Sequence, residues 1–167
     1  TYYFRVKSRD TCENEETSSI KKLTTRDTIP VGHEIGKRPP DFTLQEYQDD
    51  NPESPNNEET VSLSDYRSKK ILLNFWNTFC GACIGEFPGI RQIYDKYGKN
   101  ERELIVITIC IDGRADRIKQ LEEKYKDSED AYFGMVGRFT FPILLDVEEK
   151  TGKNYDIWSI PCTVFID

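Results

Sequence analysis

Two of the five cysteines, Cys80 and Cys83, lie two residues apart within Phe75-Trp76-Asn77-Thr78-Phe79-Cys80-Gly81-Ala82-Cys83-Ile84-Gly85-Glu86-Phe87-Pro88. Thiols at this spacing suit reversible dithiol–disulfide chemistry. An apolar run, Ile71-Leu72-Leu73, precedes the pair and an amphipathic segment follows it, so the stretch predicts a strand, a turn and a helix. The unpaired N–H groups and positive dipole end of that helix favour a thiolate on Cys80. Such placement lowers a thiol pKa from about 8.5 to roughly 3.5–7.5, which makes Cys80 the expected nucleophile. Cys83, one turn further in, is placed to close the ring and release a bound partner. The competing chemistry is half of a structural zinc site, which needs a second ligand pair. The chain has no second such pair, and its one histidine, His33, lies far upstream.

The elements that must position this pair belong to a chain of 167 residues, long enough for one domain with a substantial core. A net charge of −7 argues against nucleic acid or an anionic membrane surface as the main partner. No apolar run approaches the ~20 residues of a spanning helix, and no signal-peptide pattern is present. The first residue is Thr1 rather than Met, so a segment N-terminal to it is expected. Five cysteines are too few for a disulfide scaffold of this size.

Residues 1–34 read as a flexible tether, rich in Ser, Thr, Asp, Glu and Lys over 8–28 and carrying Cys12; Tyr2-Tyr3-Phe4-Arg5-Val6 is either a short strand or the stub of an anchor. Order is expected from Ile35 onward. The segment Asp41-Phe42-Thr43-Leu44 pairs with Val61-Ser62-Leu63 as a hairpin, and the acidic stretch Gln48 to Glu59 between them is an insertion. Ser64-Asp65 begins a short helix through Tyr66. Lys70 to Trp76 is a buried strand entering the motif. Phe87, Ile90, Ile93, Tyr94 and Tyr97 give the next helix one apolar face, and Pro88 inside it predicts a kink. Leu104 to Ile111, almost unbroken in its apolarity, predicts a central parallel strand with Cys110 as a buried, inert thiol. A second helix over Ala115–Lys126, an extended Phe141–Asp146, a short helix over Val147–Tyr155 and a final strand after Ile160-Pro161 complete an α/β pattern.

Taken together, Asp41-Phe42-Thr43-Leu44, Val61-Ser62-Leu63-Ser64-Asp65-Tyr66, the motif with its Glu86-Phe87-Pro88, Phe141-Pro142-Ile143-Leu144-Leu145-Asp146 and Ile160-Pro161 resemble the thioredoxin superfamily. The closest resemblance is to the TlpA/ResA-type thiol-disulfide oxidoreductases of the AhpC/TSA-redoxin clan. It covers residues 35–167 and implies an α/β, thioredoxin-like three-layer fold with a central mixed sheet and an N-terminal hairpin extension. The family fold continues into another strand and a C-terminal helix, which are missing from this chain, so native protein is expected to extend past Asp167. The resemblance also implies that Pro161 is cis and shapes a groove in which a substrate backbone lies beside Cys80, with Trp76, Phe79, Gly81, Ala82 and Ile160 around it. Trp76 is read as packing beneath the loop rather than as chemistry. Glu86 matches the family's active-site glutamate, which raises thiol pKa values by repulsion or relays a proton. Asn74 takes the place where thioredoxin itself has a buried acid. Two departures stand out: Gly81-Ala82 lacks the proline common before the second cysteine, and Cys162 puts a third thiol after Pro161.

The implied activity is exchange of thiols and disulfides with a partner protein, reducing its disulfide through Cys80 and Cys83. No metal or organic cofactor is needed. The implied reductant is a membrane electron-transfer protein, with the domain outside the cytoplasmic membrane on an N-terminal anchor. One rival is a peroxiredoxin-type thiol peroxidase, although such sites place a Thr three residues before the reactive Cys and Thr78 is two before Cys80. Another is a non-enzymatic Cu(I)-handling module, since a soft thiolate pair suits that ion.

Overall fold

In the computed structural model, residues 4–7 (backbone), 30–32, 34–47, 60–97, 99–129, 134, 136 and 139–167 are described. Cys12, His33, most of the expected tether and the acidic insertion from 48 to 59 lie outside the described residues.

Four hydrophobic runs build the middle of the sheet. Strand β4 (Lys70–Trp76) pairs in parallel with β5 (Leu104–Cys110), which pairs in parallel with β6 (Ile143–Leu145). Strand β7 (Cys162–Ile166) runs antiparallel on the other side of β4, with Phe75 opposite Cys162 and Asn74 opposite Thr163. The hairpin expected from the sequence is present: β2 (Thr43–Glu46) pairs antiparallel with β3 (Thr60–Ser62) and docks on β6. A 3-10 turn, Leu63–Tyr66, follows β3.

At the far edge, Phe4–Lys7 forms β1, antiparallel to β7, so the seven strands run β1-β7-β4-β5-β6-β2-β3. These four residues, assigned from sequence to the tether, belong to the sheet instead; of the two alternatives for that segment, a strand is observed over Phe4–Lys7. The physical reason is that β7 offers a row of N–H and C=O groups on that side, and a short segment alternating apolar and charged residues supplies their partners.

The two-residue period of the strands sorts side chains into two layers. On one face, Ile71, Leu73 and Phe75 join Ile105, Ile107, Ile109, Val164 and Ile166. On the other, Leu72 and Trp76 join Val106, Cys110, Ile143 and Leu145 beneath α1 (Gly81–Lys96) and α2 (Ala115–Tyr125). Burial on both faces explains why β5 lacks polar alternation. Tyr155 closes the first layer: its hydroxyl donates to the Pro40 carbonyl at 2.8 Å and its ring packs on Phe75.

Helix α1 buries Cys83, Phe87, Ile90 and Tyr94 and continues through Pro88. Tyr97, expected on its apolar face, caps the helix and is exposed. The short helix expected over Val147–Tyr155 is confined to α3 (Lys150–Asn154). Both oxygens of the buried Asp146 accept backbone N–H groups there, from Lys150 at 3.0 Å and Gly152 at 2.9 Å, which sets where that helix starts.

The second layer centres on Phe87, whose ring lies 4.9 Å from Trp76 edge-on and 5.5 Å from both Phe139 and Phe141. Phe87→Ala should therefore cost about 3–5 kcal/mol of stability, as truncation of a fully buried aromatic does. Urea unfolding at 25 °C measures it, and a loss below about 1 kcal/mol would contradict this packing.

Candidate active site

Helix α1 begins at the end of β4, and Cys80 is its N-cap residue. A helix leaves its first amides without internal partners, and Cys80 Sγ accepts one of them, from the N–H of Cys83, at 3.0 Å. Cys80 and Cys83 form a disulfide with Cα atoms 5.2 Å apart. Cys80 is partly exposed and Cys83 is buried, so one sulfur faces solvent and the other faces the core. The field at a helix N-terminus favours negative charge.

In the turn carrying Cys80, the three N–H groups from Thr78 to Cys80 are engaged. Phe79 N–H donates to the Asn77 side chain at 3.0 Å, Cys80 N–H to the Asn77 carbonyl at 3.3 Å, and Thr78 N–H to Asp112 at 3.2 Å. Thr78 Oγ1 also donates to Asp112, at 2.6 Å. That hydroxyl, which a peroxidase reading would aim at the reactive sulfur, is thus taken up by a carboxylate.

Around the disulfide, Gly81 and Ala82 are exposed, and Phe79 is 69% exposed with the Arg117 guanidinium 5.2 Å over its ring. The Ile160–Pro161 peptide is cis. Ile160 is half-buried and packs, like Cys80, against the core layer that contains Cys83. Trp76 packs beneath the loop as the sequence indicated, but its place among the groove residues requires a correction. Grouped from sequence with the groove residues, it is fully buried against Phe87 and presents no surface to a substrate. Sequence reasoning passed over Trp158, which is 89% exposed two residues before Ile160. Its signal was available: a large aromatic in the polar segment leading to Ile160-Pro161.

Glu86 lies on α1 one turn past Cys83, with its carboxylate at solvent. The Asn74 amide donates to Glu86 Oε2 at 3.3 Å and to Thr163 Oγ1 at 3.0 Å, so one buried amide ties β4 to both α1 and β7. Asn74 Oδ1 has no hydrogen-bond partner among the described residues.

The two remaining described thiols sit in unfavourable surroundings for ionisation. Burial, and then the charge of Glu86, push the Cys162 thiol up from its ordinary pKa. Burial pushes Cys110 up further, reinforced by its hydrogen bond to Asp112 at 2.8 Å. Neither Cys110 nor Cys162 is disulfide-bonded. Among the described residues, no group of three or more His, Cys, Asp or Glu converges as a metal site.

Comparison with known proteins agrees with this geometry. Residues 35–167 match the family model described as the AhpC/TSA family. The chain is 28% identical over 134 residues to "Thiol-disulfide oxidoreductase ResA" of Oceanobacillus iheyensis, covering 80% of this chain and 60% of that protein. It is 30% identical over 137 residues to "Thioredoxin-like protein YneN" of Bacillus subtilis, covering 82% and 68%. The chain thus spans under two thirds of the ResA protein's length. Among solved structures, a thiol-disulfide oxidoreductase from Bacteroides fragilis superposes with a TM-score of 0.54 at 19% identity, covering 75% of this chain and 80% of that one, a likeness of fold. With a dithiol pair at the start of α1, a cis proline before β7 and a family match over four-fifths of its length, the chain belongs to the AhpC/TSA family, as a TlpA/ResA-type member of the thioredoxin superfamily.

Proposed function

We propose that the chain is a thiol-disulfide oxidoreductase that reduces a disulfide in a partner protein. The observation that carries this is the Cys80–Cys83 disulfide itself, with Cys80 Sγ capping α1 and Cys83 buried behind it. Relatives named thiol-disulfide oxidoreductase support the same activity.

In the reduced protein the Cys80 thiolate attacks one sulfur of the substrate disulfide. A Cys80–substrate mixed disulfide forms and the other substrate sulfur leaves as a thiolate, which takes up a proton. Cys83 loses its proton and attacks the Cys80 sulfur, which closes the Cys80–Cys83 disulfide and expels the second substrate sulfur. Two electrons pass from the dithiol to the substrate. Phe79, Gly81, Ala82 and Ile160 line the approach, and Pro161 borders it. Glu86, one turn from Cys83, supplies negative charge beside the thiols and a place for the proton Cys83 gives up.

The resemblance to ResA extends the proposal. The domain works outside the cytoplasmic membrane, held by an N-terminal anchor and reduced again by a membrane electron-transfer protein. Among the described residues, no helix is long and apolar enough to cross a membrane, so the anchor would lie elsewhere.

Single cysteine variants test the division of labour. Cys80→Ser should abolish disulfide reduction, whereas Cys83→Ser should still attack but fail to release, accumulating covalent complexes on alkylation-quenched, non-reducing gels. Complexes formed by Cys80→Ser alone would reverse the assignment, and full activity in both variants would end the redox reading.

Glu86→Gln gives a test with a definite sign. Negative charge opposes thiol ionisation, so its removal lowers the Cys162 pKa and raises the thiolate fraction at pH 8. Alkylation of Cys162 in the oxidised protein should then speed up several-fold at pH 8, and reduction of a substrate disulfide should slow if Glu86 also takes the Cys83 proton. Rates identical to the parent in both assays would remove Glu86 from the site.

A further inference from the structure

We propose that Asp112 is a positioning residue for the reactive disulfide: its carboxylate clamps the turn that carries Cys80 onto the end of β5 and so holds Cys80 at ring-closing distance from Cys83. The inference rests on the thiol–disulfide exchange proposed above and assigns to three residues a role that the CxxC motif does not contain.

Apart from the helix-start bonds that Cys80 accepts from Cys83 and Ile84, the hydrogen bonds of the Asn77–Cys80 turn divide into local ones and one external anchor. The Phe79 and Cys80 amides bond to Asn77 within the turn. Only Thr78 reaches out, giving both its N–H and its hydroxyl to Asp112 Oδ2 at 3.2 and 2.6 Å. Charge-assisted bonds of this kind are roughly twice as strong as neutral ones.

The anchor itself is rigid. Ile111 N–H donates to the Trp76 carbonyl at 2.9 Å, which locks the residue before Asp112 to the end of β4. The Cys110 carbonyl accepts N–H groups from both Gly113 and Asp146, at 3.1 and 3.0 Å. Gly113 has φ +57, and a Cβ there would lie 2.5 Å from Val147 Cα, so the turn packs where only glycine fits. Cys110 completes the clamp: its thiol donates to Asp112 Oδ1 at 2.8 Å, which leaves Oδ2 for Thr78. Cys110 is fully buried behind the site and acts there as a hydrogen-bond donor rather than as a third redox centre.

The consequence falls on the redox equilibrium. Intramolecular closure is favoured in proportion to how well the two sulfurs are held in reacting geometry. Loosening the turn lowers the effective concentration of Cys83 at Cys80 and shifts the equilibrium with glutathione toward the dithiol. The removed charge also favours a Cys80 thiolate, so the two effects must be separated by a variant that keeps the acceptor.

The test is the equilibrium constant of the Cys80–Cys83 couple against glutathione redox buffers, read for the parent, Asp112→Asn, Asp112→Ala, Thr78→Val and the Thr78→Val/Asp112→Ala double variant. Asp112→Ala should shift it at least tenfold toward the dithiol, about 30 mV for a two-electron couple. Asp112→Asn, which can still accept from Thr78, should shift it less than threefold by the same measure, well under that 30 mV. Thr78→Val should fall between, and the double variant should go no further than Asp112→Ala, because both remove one contact. A folded Asp112→Ala with the parent's equilibrium overturns the clamp; an equal shift in Asp112→Asn overturns it in favour of charge alone. If Asp112→Ala does not fold, Thr78→Val decides: a parental equilibrium in that variant overturns the proposal. A parent protein whose disulfide does not equilibrate with glutathione or dithiothreitol sinks the exchange reading and this one with it, whereas a parent that exchanges alongside unaffected variants sinks only the clamp.

Discussion

An α-helix begins with N–H groups that have no partner inside it, and in this chain a cysteine sulfur meets one of them. The contact from Cys83 N–H to Cys80 Sγ, 3.0 Å long, couples secondary structure to sulfur chemistry, because the group completing the helix is also the group that would ionise on reduction. Much of the fold serves to put that helix start in one place. Strand β4 is buried along most of its length between β5 and β7, and its end, Trp76, is held by the pairing with Cys110 of β5 and from below by Phe87, one residue past the last pair with β7. Helix α1 then lies on the layer that contains Phe139 and Phe141. A helix start fixed by that much buried apolar surface has little freedom to move away from the sulfur capping it.

The parts legible in the sequence were those with short-range physical signals. Strand β4 matched its expected bounds, and β5 ended one residue earlier, at Cys110, because apolar runs buried on both faces have few alternatives. The apolar face of α1 followed from its three- and four-residue spacings. The parts not legible depended on contacts distant in the chain. Pairing of β1 with β7 joins residues near 4 and 166, for which no local pattern exists. The role of Trp76 depended on which face of β4 it occupies, and the even-numbered face turned out to lie beneath α1. The late start of α3 came from Asp146, whose buried carboxylate is satisfied by amides four and six residues ahead. The bonds between Thr78 and Asp112 span 34 positions and leave no periodic trace.

Four described cysteines share one domain without sharing a chemistry. Cys80 sits where a helix end supplies hydrogen-bond donors, and Cys83 stands one turn behind it in the core. Cys110 and Cys162 lie on β5 and β7, the two strands that flank β4, each within reach of a carboxylate rather than of a cation, and both thiols are pushed away from ionisation. Burial alone does not separate the groups, since Cys83 and Cys110 are equally buried. The disulfide partner and the sign of the neighbouring charge do.

Thr78 and Asn74 are both tied by hydrogen bonds within the fold. Thr78 has its hydroxyl committed to Asp112, so it cannot also orient a peroxide at Cys80 without giving up a charge-assisted bond. Asn74 is a buried amide on β4, and an amide neither carries a charge nor takes a proton at neutral pH. It donates instead to Glu86 on α1 and to Thr163 on β7. The carboxylate near the thiols, Glu86, stands exposed on helix α1, where solvent reaches it. A charge placed there costs less to maintain than one buried in the sheet, and its influence on a nearby thiol is correspondingly weaker. Glu86 accordingly ranks second to burial among the causes that raise the Cys162 pKa. The Cys162 thiol is thus set mainly by burial, with the carboxylate as a smaller adjustment made from the solvent side.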